Sequence, residues 1–431
     1  MKEQINIGLC GLGTVGTGVI KILENNKEEI KHKLGCELAV KRVLVHNIDK
    51  PREIHFDRRL LTSYPEDLYA DEDIDIIIEV MGGIEDTYLL LEKALEHGKH
   101  IITANKDLMA VHGQKLLQLA QANQCDIFYE ASVAGGIPII RSLTDGLASD
   151  RIQKMMGIVN GTTNYILTKM TDEHSDFQAV LQEAQELGYA EADPTSDIEG
   201  LDAARKMALL ANLAFQMNIN LSDVDVKGIT AVSQEDITFA GRLGYTVKLI
   251  GIAAISEGKV EVSVEPTLLP QDHPLALVKN EYNAVYVYGE AVGETMFYGP
   301  GAGSMPTATA VVSDLMEAAR NIRLGISGSS YVSPQYETRL KADDEKYTRY
   351  YVRLEADDQA GTFQSLTNIF TSENVSFAKI LQLPASKEGS AEIVMVTHKI
   401  SKQQLLNSLK KLDDLEVVQK LISYYRVDGE E

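Results

Sequence analysis

Residues 188–206 read GYAEADPTSDIEGLDAARK and crowd Glu191, Asp193, Asp197, Glu199 and Asp202 ahead of Lys206. The chain continues as LDAARKMALLANLAF, apolar on nearly every face, which is the pattern of a buried helix. Burial penalises an ammonium unless a carboxylate answers it. Asp202 lies four residues before Lys206, so both fall on one helical face. A carboxylate–ammonium pair at the mouth of an acidic loop can pass a proton to and from a reacting group. The same pair would also serve as a structural ion pair, and the rest of the chain has to decide between the two.

The amino-terminal stretch supplies a partner for such chemistry. Residues 5–10 read as a short buried strand, Gly11, Gly13 and Gly16 follow as G-x-G-x-x-G, and 17–23 continue as a helix. Strand, glycine turn and helix together are the setting of a dinucleotide-binding turn, in which a pyrophosphate lies on the free N–H groups of the helix start. A second strand over 38–46 ends in HNIDKPR. An NAD-selective site places an acid at that strand end to hold the ribose hydroxyls. Here His46 and Asn47 stand there, with Asp49, Lys50 and Arg52 just beyond. The cations Lys50 and Arg52 would accept the extra phosphate of NADP(H), or else only decorate a solvated loop, with His46 beside them at the strand end; Asp49 keeps NAD(H) as the alternative. Strands over 74–80 and 100–103 close in Gly82-Gly83 and in Ala104-Asn105-Lys106, and a further strand is predicted over 126–130. Ligands of doubly wound sheets sit at the carboxyl ends of the strands, which directs Thr103 and Lys106 to the cofactor cleft.

A second domain begins with a strand over 151–159. NGTTNYILTKM then puts Asn160, Gly161, Thr162 and Thr163 at a helix start, where they either bind a carboxylate or only cap the helix. Helices over 175–187 and 201–215 flank the acidic loop. A hairpin over 247–255 and 260–264 turns at Ser256-Glu257-Gly258-Lys259, and another strand covers 283–292. YGPGAGSMPTATA leads into a helix over 307–323 that is expected to return to the first domain and bring Gly301 near the cofactor. The Gly/Ser-rich 325–334 reads as the start of a linker. Beyond it come strand 347–354, helix 362–373, strands 375–383 and 391–398, helix 403–412 and strand 416–427. That order, βαββαβ, is ferredoxin-like, and Ser401 with Gln404 forms a capping box for its second helix.

Composition narrows the function. The 431 residues suffice for two or three domains, and 44% hydrophobic content is that of a globular chain. A net charge of -22 argues against nucleic acid and anionic membrane as partners. Cys10, Cys36 and Cys125 lie far apart, without metal-ligand spacing. MKEQINIGL enters a strand directly, with no secretory segment, and no apolar run spans a bilayer; the expectation is a cytoplasmic protein.

GLGTVG, EVMGG, TANK, ASVAGGIP, NGTTNYI, GYAEADPTSDIEGLDAARK and GPGAGSMPTA together resemble homoserine dehydrogenase, in the form that carries a carboxyl-terminal ACT domain. The resemblance covers essentially the whole length. It implies an α/β chain with a Rossmann-type dinucleotide-binding domain (1–130, with a returning helix 304–325) and an α+β substrate-binding and dimerisation domain (131–303). A linker (325–345) and a ferredoxin-like ACT regulatory domain (346–431) would follow. It implies NAD(P)H-dependent reduction of L-aspartate 4-semialdehyde to L-homoserine. Lys206 would then donate and accept the proton, Asp202 would hold it, and Lys106 would contact cofactor and substrate with a share in acid/base work. Glu191 would take the substrate ammonium, with Tyr189, Asp197, Gly161 and Thr162 around the substrate. Leu12, Thr14, Val15 and Gly301 fall at cofactor-contact positions beside the three glycines. A monovalent cation, sodium, would sit on the turn of Glu130, Val133, Gly135 and Ile137, mostly on backbone carbonyls. The resemblance further implies a homodimer or homotetramer and threonine as effector. The ACT likeness is looser at Asp358-Gln359-Ala360-Gly361, where alanine stands in the usual place of proline.

Overall fold

The computed structural model describes residues 2–52, 54, 56–328, 334–384 and 389–429. They form two compact units: Met1–Ile152, Ala208–Leu221 and Asn283–Glu337 make one, and Gln153–Met207, Ser222–Tyr282 and Thr338–Glu431 the other.

In the first unit six parallel strands stand in the order Leu61–Thr62, Glu37–Leu44, Gln4–Cys10, Ile76–Glu79, His100–Thr103 and Ile127–Phe128. This is the doubly wound order, whose switch point lies between the first and fourth strands of the chain. Ile5, Ile7 and Leu9 pack with Val19, Val311 and Leu315 of the helices Thr14–Asn25 and Ser304–Leu324. Cys10, Ile77 and Ile101 pack with Leu91 and Leu108 of the helices Glu85–Glu96 and Lys106–Ala122. A sheet covered on both faces explains why its strands read as unbroken apolar runs. Ser304–Leu324 lies so close to Thr14–Asn25 that a Cβ on Gly18 would come within 2.6 Å of the Ser304 carbonyl oxygen. Ser304 Oγ donates to the Thr14 carbonyl at 2.6 Å.

The strand expected over 126–130 is confined to Ile127–Phe128 and gives way to a tight turn at Glu130–Ser132. The Glu130 N–H is taken by Asp314 Oδ2 (2.9 Å), and its carboxylate accepts from the N–H groups of Ile140 and Arg141, which pulls this segment off the ladder. A strand that the sequence pattern did not suggest, Gly293–Pro300, follows Tyr282–Gly289.

The second unit is built on a sheet with Ile152–Ile158, Tyr245–Ser256, Lys259–Pro270, Val418–Val427, Tyr347–Asp357, Ser390–Thr397 and Phe377–Pro384 side by side. The hairpin Tyr245–Ser256 and Lys259–Pro270 is longer than its apolar pattern suggested, with Pro270 opposite Tyr245. Pro266 is tolerated because it falls between two short partners on the strand's far side. Asp225–Val226 pairs with Ser263 and Val264, and Val418–Val427 with Thr267 and Leu268. The carboxyl-terminal elements follow the βαββαβ order, with helices Thr362–Ser372 and Lys402–Asp413. The Ser401–Gln404 capping box is present. Of the expected linker, residues 329–333 lie outside the described residues; beyond them the Lys341 N–H donates to the Val260 carbonyl at 2.9 Å. Asp236, only 1% exposed, fastens the carboxyl-terminal strands to the rest of the unit. It accepts from Arg353 Nη1 (3.1 Å), Ser423 Oγ (2.7 Å) and the Tyr425 hydroxyl (2.9 Å).

The strand Tyr245–Ser256 buries Lys248, 2% exposed. Its Nζ donates to the Val278 carbonyl (2.6 Å) and Asn164 Oδ1 (2.9 Å), neither of them charged. Burial pushes this amine down to about 7, with Asp172 opposing and Lys279 reinforcing the shift. An unfolded lysine titrates near its ordinary value of about 10.4, so between these limits the native state holds fewer protons than the unfolded one. The stability owed to Lys248 therefore grows as pH rises through this window and is lost as pH falls back through about 7. Urea unfolding of wild type and Lys248→Met should differ more in favour of wild type at about pH 9 than at about pH 7, by about 2 kcal/mol. A difference independent of pH would contradict this.

Candidate active site

In the second unit the acidic run and the helix behind it converge on one lysine. Lys206 sits in the helix Leu201–Phe215 with its side chain 12% exposed. Nζ lies 2.7 Å from Asp202 Oδ2 and donates to the Val159 carbonyl at 2.7 Å. Asp202, side chain 6% exposed, also accepts from Asn160 Nδ2 at 2.8 Å. The same amide nitrogen donates to Asp197 Oδ1 at 2.7 Å, while Asn160 Oδ1 caps the helix Gly161–Glu173 by accepting from the Thr163 N–H. Asn160 is thus both the helix cap and the bracket that holds two carboxylates beside the ammonium. Gly161 is required where it stands: a Cβ there would come within 2.7 Å of the Glu281 carbonyl oxygen. Thr162 Oγ1 donates to the Tyr189 carbonyl (2.6 Å), and the Tyr189 ring, 39% exposed, leans on Tyr165 with centroids 5.0 Å apart. Glu191 is exposed on the same loop. Lys206, Asp202, Asp197, Thr162 and Tyr189 are therefore brought together, through groups distant in sequence.

In the first unit a cleft of about 1050 Å³ opens at the carboxyl ends of the parallel strands. Gly11, Leu12, Gly13, His46 and Lys50 line it, as do Asn47 and Arg52; Asp49 is not among its lining residues. Gly11 has φ +102, and a Cβ on Gly16 would lie 2.1 Å from the Gly11 carbonyl oxygen, so the tight turn demands both glycines. Around Gly13 there is open space, as a phosphate needs. Thr14 and Val15 begin the helix that follows. Arg52 spends its guanidinium on the carbonyls of Asn47 (2.8 Å) and Lys50 (3.0 Å), folding the loop that presents Lys50. Lys106 opens the helix Lys106–Ala122 at the end of the strand His100–Thr103.

Glu79 holds this end of the sheet together, and the sequence reading passed over it. Fully buried, it accepts from the N–H groups of Met81 (2.9 Å) and Gly82 (3.0 Å) and from Thr103 Oγ1 (2.6 Å). Burial raises its pKa against those donors. Asn105 continues the network: its amide nitrogen donates to the Gly83 carbonyl (2.7 Å), and its oxygen caps the helix of Lys106. Thr103 is therefore a support for the cleft floor. The signal available in the sequence was an acid ending an otherwise apolar strand just before Gly82-Gly83.

The turn of Glu130, Val133, Gly135 and Ile137 is buried, apart from the half-buried residue 136, and Ala134 and Gly135 both have φ +55. Among the described residues no group of three or more His, Cys, Asp or Glu could hold a metal. The Glu130 carboxylate is already engaged by two N–H groups, so a cation here would rest on backbone carbonyls, the ligands a hard monovalent ion accepts. Gly301 is pressed against this turn: a Cβ on Gly135 would lie 2.3 Å from its carbonyl oxygen.

Comparison with known proteins agrees with a dinucleotide-binding first unit. The sequence model of homoserine dehydrogenase matches residues 138–316, and that of the homoserine dehydrogenase NAD-binding domain matches residues 11–130. The homoserine dehydrogenase of Bacillus subtilis is 57% identical over 428 residues, 99% of each chain. This chain belongs to the homoserine dehydrogenase family. The family's members are oxidoreductases that act on a CH–OH group. A solved homoserine dehydrogenase from Thiobacillus denitrificans superposes with a TM-score of 0.92 at 38% identity, over 99% of each chain. A hyperthermophilic archaeal homoserine dehydrogenase, solved in complex with NADPH, superposes with a TM-score of 0.60 at 27% identity over 73% of this chain and 97% of that one. Among the described residues no helix is long and apolar enough to cross a membrane.

Glu79→Gln keeps the size of the side chain but leaves fewer acceptors for three donors. It should raise the KM for the dinucleotide about tenfold while leaving the KM of the second substrate nearly unchanged. Equal effects on both constants would mean that Glu79 supports the whole unit rather than the cleft.

Proposed function

We propose that the chain interconverts L-aspartate 4-semialdehyde and L-homoserine with NADP(H), in the biosynthesis of threonine, methionine and isoleucine in the cytoplasm. The observation that carries this reading is the buried Lys206 ammonium, held 2.7 Å from Asp202 in a helix whose loop offers further carboxylates. Bound in the cleft of the first unit, the nicotinamide supplies or accepts the hydride. Lys206 gives its proton to the aldehyde oxygen as negative charge develops there, and takes the hydroxyl proton in the reverse direction. Asp202 keeps that ammonium in place, and Asn160 keeps Asp202 in place. Glu191 answers the substrate ammonium, with Tyr189, Asp197, Gly161 and Thr162 shaping the surroundings of the substrate. Lys106 contacts cofactor and substrate.

Several finer assignments belong to the same reading. His46 and Lys50 on the cleft wall, with Asp49 off it, favour NADP(H) over NAD(H). A sodium ion would rest on the carbonyls of the turn of Glu130, Val133, Gly135 and Ile137 and stiffen its left-handed backbone. The carboxyl-terminal βαββαβ module would be an ACT domain, with threonine as effector near Asp358 and Gly361. The assembly would be a homodimer or a homotetramer.

Purified protein given L-homoserine should reduce NADP+ with a higher kcat/KM than NAD+, followed by the absorbance of the reduced nicotinamide. Lys50→Ala should lower kcat/KM for NADP+ about tenfold and leave that for NAD+ nearly unchanged. Lys206→Ala should cut kcat by roughly three orders of magnitude and spare cofactor binding. Unchanged turnover would remove Lys206 from the mechanism.

A further inference from the structure

The second unit holds a crevice of about 860 Å³ that the dehydrogenase chemistry does not use. Its walls are the hairpin ends around Ile255 and Glu261, the start of the strand Tyr347–Asp357, and the last residues of Val418–Val427. In a chain of net charge -22, this crevice is locally basic: Lys154, Lys341, Arg349, Lys399 and Arg426 line it against three carboxylates. One of those carboxylates, Asp428, is neutralised within the wall by Lys154 (2.6 Å) and Arg426 (3.0 Å).

Glu261 is different. It is 7% exposed, and its Oε1 accepts from Arg426 Nη2 at 3.3 Å. Its other oxygen, Oε2, is buried without a hydrogen-bond partner. Lys341 Nζ forms a long ion pair with it at 3.9 Å, beyond hydrogen-bond reach. A buried carboxylate oxygen left unmatched costs free energy that a donor in the crevice would recover. Just beside it, the Lys341 ammonium faces the same space with donors to offer. An orphaned acceptor and an ammonium side by side match a group that carries a carboxylate and, next to it, an N–H or O–H donor. Ala254, the cross-strand partner of Glu261, gives this side of the crevice a small aliphatic patch.

We propose that this crevice binds a small carboxylic acid bearing an adjacent ammonium or hydroxyl: the carboxylate on Lys341 and Lys399, the donor on Glu261, an aliphatic side chain over Ala254. It is distinct from the effector site suggested at Asp358 and Gly361. Those residues follow the far end of the strand Tyr347–Asp357, and nine residues at about 3.3 Å each place them about 30 Å away from Arg349. The proposal does not depend on which substrate the dehydrogenase site takes.

Three probes with one carbon frame separate the contributions: L-valine, 2-hydroxy-3-methylbutanoate and 3-methylbutanoate. Calorimetric titration of the full chain should give saturable binding of at least one of the first two, with 3-methylbutanoate about tenfold weaker. Whether valine or the hydroxy acid binds tighter tells which donor Glu261 takes. Lys341→Met should weaken the binding about tenfold and leave dehydrogenase activity without added ligand unchanged; Lys399→Ala, at an exposed position, repeats the test should Lys341→Met fold poorly. Asp358→Ala should bind as wild type. No saturable heat from any of the three, or equal binding by wild type and both lysine variants, would overturn the proposal, the latter placing the ligand at another site.

Discussion

The structure turns on how an ammonium is kept inside a protein. Lys206 emerges from a helix that is buried along most of its length, and a bare charge there would cost several kcal/mol. The molecule meets that cost locally: Asp202 one turn earlier, the Val159 carbonyl at the end of a strand, and Asn160 reaching across from the next helix start. Each of these groups is itself fixed. Asn160 is committed to its helix through the Thr163 N–H, and Gly161 beside it is wedged under the Glu281 carbonyl. An ammonium held by so many constraints has little side-chain freedom left to lose, which is the condition for a preorganised charge.

The dinucleotide cleft follows the same principle with the opposite sign of charge. Glu79 ends an apolar strand, and its carboxylate collects two loop N–H groups and the Thr103 hydroxyl. The loop after one strand is thereby tied to the strand beside it, and through Asn105 to the helix that begins with Lys106. Both places put a buried ionisable group at the carboxyl end of a strand, where backbone groups run out of ladder partners and can be turned to a ligand. The carboxyl-terminal module is fastened in a comparable way by Asp236, with Arg353, Ser423 and Tyr425 converging on one carboxylate.

Much of this was legible in the sequence where the relevant groups are neighbours in the chain. Asp202 and Lys206 share one helix, so their spacing alone fixed their meeting. The G-x-G-x-x-G turn, the Ser401–Gln404 capping box and the order of the carboxyl-terminal elements are likewise local patterns. What the sequence hid depends on partners far along the chain. Glu79 meets Thr103 across two parallel strands, and Lys248 is dissolved by carbonyl and amide oxygens from two other segments. The strand over 126–130 looked regular because nothing local announces that Asp314 takes the Glu130 N–H. The hairpin strand expected over 260–264 runs on through Pro266 to Pro270, because the sheet leaves a gap among its neighbours at Pro266 that no local pattern announces. The helix Lys106–Ala122 was not anticipated: its buried stripe of Met109, Leu116 and Ala120 passes through Gly113, a poor helix former.

The role of the Lys206 amine can be tested most directly by replacing it with one supplied from solution. In Lys206→Ala, with homoserine and NADP+ saturating, added methylamine or ethylamine should restore turnover in a saturable manner that follows the free-base concentration. The larger amine should be limited by the space the side chain leaves. A variant that retains both ligands yet shows no response to any amine, while its residual rate stays close to wild type, would contradict the account.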